Sequence, residues 1–205
     1  FVGFIIGFIA KSEKAKSIGQ TIFAFGVLFV GINIMGDAMK PLAGSPVFID
    51  LMTQVHDIPV LGVLLGTLMT VVVQSSSATI AVLQNLASTA GPDGVTSIIG
   101  LTGALPILFG DNIGTTITAV LASIGGSLAA KRTAAAHVVF NITGTFIFIW
   151  FIPYYAKFIQ FISPDGAEID VISRQIANAH SCFNIFNTIL FIPIIGILVK
   201  VVTKI

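Results

Sequence analysis

The chain has 205 residues, of which 9% are charged and 55% hydrophobic, and its mean hydropathy is +1.01. Soluble domains carry about a quarter charged residues, and a folded chain this poor in charge would expose too much continuous apolar surface to stay dispersed. A soluble domain is therefore excluded. The net charge of +1 gives no electrostatic footprint for nucleic acid, and Cys182, the sole cysteine, leaves neither a disulfide framework nor a cysteine metal cage.

In chain order, Phe1 to Ala10 reads as the end of a span, closed by the polar run from Lys11 to Lys16. No initiator Met or signal peptide precedes Phe1, so the expectation is a fragment with an upstream portion. An apolar stretch from Ser17 to Met39 follows, ended by Pro41, Gly44 and Pro46, and Val47 to His56 reads as a short interfacial helix. From Pro59 to Ala90 two apolar arms flank the polar centre Gln74-Ser75-Ser76-Ser77. Each arm is about 15 residues, too short to cross a hydrocarbon core of roughly 30 Å at 1.5 Å per residue. Val95 to Ala130 repeats the theme, with Gly110-Asp-Asn-Ile-Gly-Thr-Thr116 between two short arms. Thr133 to Ile152 and Gln175 to Val199 read as ordinary full spans. Ala134-x-Ala136-His137-x-x-Phe140-Asn141-Ile142-x-x-Thr145 recurs as Ala177-x-Ala179-His180-x-x-Phe183-Asn184-Ile185-x-x-Thr188 and links these last two spans.

Positive charge orients the spans. Lys11, Lys14 and Lys16, then Lys131 and Arg132, then Lys200 and Lys204 mark cytoplasmic segments, and the acidic loop with Asp165, Glu168 and Asp170 falls opposite. Residues 40–57 then lie outside, and an odd number of crossings must separate them from Lys131. A re-entrant hairpin from Pro59 to Ala90, followed by one broken crossing helix from Val95 to Ala130, is the economical solution. The predicted fold class is thus an all-α polytopic membrane protein with a re-entrant helical hairpin and a broken transmembrane helix, 1–205 forming a single transmembrane domain.

Irregular backbone at membrane depth is tolerated only inside protein or beside a wet cavity, so the two breaks are the candidate site. The arm ending at Val73 exposes carbonyl oxygens suited to a small hard cation such as sodium. The arm beginning near Ser76 offers free N–H groups and a positive dipole end suited to an anion. Asp111 and Asn112 can ligate or cap, Gly114 permits close backbone approach, and Thr115, Thr116 and Thr118 add hydroxyls. Discontinuous helices meeting near the midplane are the recurring construction of secondary transporters. The plainer alternative is that these hydroxyls bond their own backbone or glue helices, with Asp111 as a helix cap. His137 and His180 read as residues whose hydrogen bonds hold two helices together. No paired acid and base, positioned nucleophile or nucleotide-binding loop appears, so the expectation is that the chain is not an enzyme.

The ordered set Gln74-Ser-Ser-Ser-Ala-Thr79, Gly110-Asp-Asn-Ile-Gly-Thr-Thr116 and the two His-x-x-Phe-Asn segments resembles the type II sodium/phosphate cotransporter family over residue 59 to the end. The resemblance implies two inverted repeats with phosphate and sodium bound between them. This chain would hold the second repeat, at about 59–152, and the final span at about 175–199, with the first repeat upstream. Carried over by motif, Gln74, Ser75, Ser76, Ser77, Asn112, Gly114, Thr115 and Thr116 line the substrate site. Gln74, Ser75, Ser76, Asp111, Asn112, Thr115 and Thr118 hold sodium. Asp111 departs from the small residue common in the family there, which bears on the number of coupled ions. The implied function is sodium-coupled import of inorganic phosphate across a bacterial inner (plasma) membrane. Sodium would be the coupling ion with no further cofactor, and the partners would be the lipid bilayer and further copies as a homo-oligomer. A carrier of sulfate or a dicarboxylate, and a non-transporting receptor or assembly subunit, are the alternatives.

Overall fold

The computed structural model describes residues 1–43, 45–91 and 93–204, with their side chains except at 32–33, 35–36, 39–43, 48–49 and 53. Among these residues the protein is all-α, with only an isolated bridge between Ala90 and Ser97. It forms two compact units, Phe1–Lys40 and Pro41–Ile205.

In the first unit, α1 (Val2–Ile9) packs on the early part of α2 (Glu13–Ala43) through glycines. A Cβ on Gly3 would strike the backbone of Gly19, Ile22 and Phe23, and one on Gly19 would strike Gly7. The helix α2 continues through Pro41 to Ala43 instead of stopping at the proline, and Gly44 lies outside the described residues.

The second unit begins with α3 (Pro46–Asp57), which meets α4 (Pro59–Val73) at a bend of 115°. Proline opens both helices in their first turn, where its missing N–H leaves no orphan. After the break at Gln74 and Ser75 comes α5 (Ser76–Ala87), which at 12 residues is shorter than the sequence suggests. A compact loop leads to α6 (Gly100–Ser123). In it the Asp93 carboxylate accepts from the Val95 and Thr96 N–H groups and from the Thr96 hydroxyl. These bonds, the hydroxyl's foremost, hold that carboxyl below the usual range. Next come α7 (Leu128–Phe148), running through a 3₁₀ turn into α8 (Ile152–Phe161), and α9 (Glu168–Phe191), running likewise into α10 (Ile195–Val202). Three segments among the described residues are long and apolar enough to cross a membrane: Gly100–Ser123, Leu128–Phe161 and Glu168–Val202.

The centre of this unit is α6, buried without interruption from Gly103 to Asn112 and flanked by α4, α5, α7, α8 and α9. Its tightest contact is with α4, which runs parallel to it. A Cβ on Gly62 would meet Pro106, one on Gly66 would collide with the Ile107 carbonyl, and one on Gly110 with the Val63 carbonyl. Small residues at this spacing bring helix backbones together where lipid supplies no hydrophobic drive. The sequence-based break at 110–116 is corrected by this packing. The α-helix runs unbroken through Gly110 and Gly114, because these glycines serve contact with α4, while Thr115 and Thr116 return their hydroxyls to the carbonyls of Asp111 and Ile113. The chain turns only at 124–127, with Gly125 at φ 75°. Pro106, inside α6, sacrifices one helical bond, and its ring fills the notch at Gly62.

The ends of α6 fix the topology. His56 lies beside Gly103, and the Ser97 N–H donates to Glu168 Oε2 at 3.2 Å, so the start of α4, the loop after α5 and the start of α9 share one end. Ser76 borders the same cavity as Asn112 and Thr115, halfway along α6, so α4 and α5 dip in and return as a hairpin. At the opposite end Arg132 Nη2 donates to the Thr203 carbonyl at 3.0 Å.

Two outcomes follow. Single cysteines at positions 57 and 93, in a full-length background with Cys182 replaced, are expected to label from the same side of the membrane; labelling from opposite sides would refute the hairpin. Gly66→Ala and Gly110→Ala are each expected to lose about 1–3 kcal/mol by overpacking, seen as a lower melting temperature in detergent. Gly196→Ala, where the added Cβ meets nothing within 4 Å, is expected to be neutral or stabilising.

Candidate functional site

The break begins at Gln74, whose φ of 55° and ψ of 26° make it the one non-glycine left-handed residue among those described. A side chain in that region is strained, and such strain gathers at working parts of a protein. Here it ends α4 and turns the chain, with the Gln74 N–H donating to the Thr70 carbonyl at 2.7 Å. Ser75 then caps α5, its hydroxyl accepting from the Ala78 N–H at 3.3 Å. The N–H groups of Ser76 and Ser77 have no described acceptor, which leaves two donors at the positive end of α5.

Behind this helix start lies a cavity of about 200 Å³, well above the volume that one water needs. Ser76 borders it from α5, and Asn112 and Thr115 border it from α6. The remaining polar wall comes from the repeated motif: His137 and Asn141 on α7, His180 and Asn184 on α9, with Phe140 as the apolar side. Asn141 and Asn184 each donate to the carbonyl of the histidine four residues earlier, at 3.0 and 2.9 Å. Asn184 also reaches the Asn112 amide oxygen at 3.4 Å, and Asn112 donates to the Leu108 carbonyl at 2.9 Å.

Of the residues proposed from sequence, the cavity gathers Ser76, Asn112 and Thr115. Gln74, Ser75 and Ser77 are exposed at the turn. Gly114 sits against Thr67 and Thr70 of α4, Thr116 is buried with its hydroxyl on Ile113, and Thr118 is exposed and bonds the Thr115 carbonyl. Neither histidine ring bonds another helix among the described residues, where the sequence expected such a bond; Asn187, which donates to the Phe140 carbonyl at 3.1 Å, and Thr145, which donates to the Phe109 carbonyl at 3.2 Å, are among the side chains that do. The repeat of His-x-x-Phe-Asn was the available signal for these cavity residues, since a motif copied on two helices places matched side chains about one shared space.

Asp111 is fully buried between α6 and α4. Its Oδ1 accepts from the Thr70 hydroxyl at 2.7 Å, and its Oδ2 has no partner among the described residues. The same hydroxyl lies 2.9 Å from the Gly66 carbonyl, so one proton stands between two acceptors. The carboxyl therefore keeps unused oxygen capacity in a dry place, which suits a hard cation or a proton. Among the described residues no group of three His, Cys, Asp or Glu side chains gathers to hold a metal ion.

Short helices that break halfway along a longer apolar helix, beside a polar cavity, are a construction that recurs in secondary transporters. The chain belongs to the Na+/Pi-cotransporter family, whose model matches residues 30–163. It is 33% identical over 82% of its length to "Uncharacterized protein YqeW" of Bacillus subtilis, of which it covers 52%. It is 26% identical, again over 82% of its length, to "Putative inorganic phosphate export protein YjbB" of Escherichia coli, covering 30% of that protein. With human "Sodium-dependent phosphate transport protein 2B" it shares 29% identity over 62% of its length and 19% of the relative's. The chain thus spans about half or less of these relatives. No solved structure matches it significantly.

Thr70→Val is expected to cost about 1–3 kcal/mol, because it strips the Asp111 carboxyl of its one partner. Thr70→Ser is expected to keep the parent's thermal stability in detergent. Equal melting temperatures for all three proteins would show that the bond contributes nothing.

Proposed function

We propose that this chain supplies half or more of a secondary transporter that carries inorganic phosphate coupled to sodium, by alternating access around the cavity behind Ser76. The observation that carries the reading is the meeting, halfway along α6, of the α5 N-terminus with Asn112, Thr115 and the two His-Asn pairs. Free N–H groups and a positive helix end favour an oxyanion. The α4 terminus and the unpartnered Asp111 oxygen supply ligands for sodium, a hard cation that takes oxygen. The family and the names of its mammalian members support the phosphate and sodium assignment.

Import is the direction proposed, with the Lys131 and Lys200 end facing the cytoplasm of a bacterial inner membrane. Export is the second reading, favoured by the name of the Escherichia coli relative. Radiolabelled phosphate flux in proteoliposomes containing the full-length protein distinguishes them, with the sodium gradient imposed in either direction. Net accumulation driven by inward sodium supports import. Equal flux with potassium in place of sodium would end the coupling proposal, and sulfate competing as well as phosphate would end the substrate assignment.

Asp111 provides the sharper test of coupling. A charged side chain at bilayer depth costs roughly 2.5–3.5 kcal/mol on insertion scales, and a bound sodium offsets much of that. Asp111→Asn and Asp111→Ser are expected to reconstitute normally while requiring several-fold more sodium for half-maximal uptake. Unchanged sodium dependence and unchanged charge per phosphate in both variants would leave Asp111 a packing residue only.

A further inference from the structure

The repeated motif gives the cavity two imidazoles with no hydrogen-bond partner among the described residues. His137 and His180 are both half-buried and border the cavity, yet neither ring hydrogen-bonds a described residue. The other side-chain donors there are largely committed. Thr115 gives its one hydroxyl proton to the Asp111 carbonyl, and Asn184 gives its two amide protons to His180 and Asn112. Asn112 and Asn141 each commit one to their own helix. A tetrahedral oxyanion presents four oxygens, all able to accept, so its recognition demands donors. The groups left wholly free to donate are the Ser76 hydroxyl, the N–H groups of the α5 start, and the two imidazoles.

Their placement follows from helix direction. α7 and α9 run antiparallel, as the pairings of Phe148 with Phe183 and of Phe140 with Phe191 show. Each histidine precedes its asparagine by four residues, about 6 Å along the axis. His137 therefore lies toward the Lys131 end and His180 toward the Glu168 end of the lining that they share with Asn112, Asn141 and Asn184. An anion in the cavity would be flanked by one imidazole from each side.

We infer that His137 and His180 are oxyanion-contacting residues, each donating an imidazole N–H to the inorganic anion held in this cavity. The inference rests on the proposed phosphate site and goes beyond it in assigning these two side chains. Equilibrium binding of radiolabelled phosphate to the full-length protein in detergent, at fixed saturating sodium, tests it. His137→Phe and His180→Phe are expected to weaken binding about tenfold or more, while His137→Gln and His180→Gln, which keep a neutral donor, are expected to lose less than the matching Phe variants. Phe variants that retain the parent's affinity would overturn the inference. A second measurement needs no cavity variant. In a His56→Gln background, saturating phosphate is expected to protect both histidines from carbethoxylation, read by mass spectrometry, whereas the same concentration of chloride does not. Equal modification with and without phosphate, in protein that binds phosphate, would overturn this inference alone. Failure of the parent protein to bind phosphate would overturn both it and the proposed function.

Discussion

Gly66 and Gly110 let the backbones of α4 and α6 touch, with no room for even one methyl group between a glycine and the opposing carbonyl. In lipid, helices gain little from burying apolar side chains, so close van der Waals contact of this kind carries the association. The contact fixes α4 in parallel register along α6. Once it is fixed, the end of α4 must fall halfway along α6, and the chain has to turn there. The left-handed Gln74, the Ser75 cap and the free N–H groups of α5 are consequences of where that glycine contact leaves the chain.

The same register explains why Asp111 can exist where it does. It is buried against α4, where the Thr70 hydroxyl is the one partner of its carboxyl among the described residues, and Gly114, one turn on, gives Thr70 the space to approach. Adjacent positions of α6 then serve different surfaces. Asp111 and Gly114 address α4, whereas Asn112 and Thr115 address the cavity shared with α5, α7 and α9. A continuous helix does this better than an unwound one, since a step of about 100° per residue separates the two sets cleanly. The Asp111 carboxyl and the cavity-facing Asn112 and Thr115 thus sit on neighbouring faces of one helix.

The cavity's far wall has a different origin. Two copies of one motif on antiparallel helices meet around a common space, where Asn184 reaches Asn112 and each copy adds an asparagine and a histidine to the lining. Asn141 and Asn184 are each tied to their own helix, and Asn184 also to Asn112 of α6.

Much of this was legible in the sequence because membrane burial leaves a strong compositional record. Scarce charge placed the chain in lipid, the basic clusters at Lys131 and Lys200 set an odd number of crossings, and the short arms around Gln74 to Ser77 made a hairpin the economical reading. The ordered motifs pointed to the family. What the sequence could not determine was the use of each small or polar residue. Gly110 and Gly114 look identical as helix breakers and as contact points, and only the position of α4 decides between them, because a glycine in a helix costs about 1 kcal/mol that backbone contact can repay. Likewise, the periodicity of α7 and α9 shows that His137 and His180 occupy matched faces, but not what those faces meet. Tertiary packing alone decided that they meet one cavity, because direction and register between helices 43 residues apart in sequence are set by contacts that no local pattern encodes.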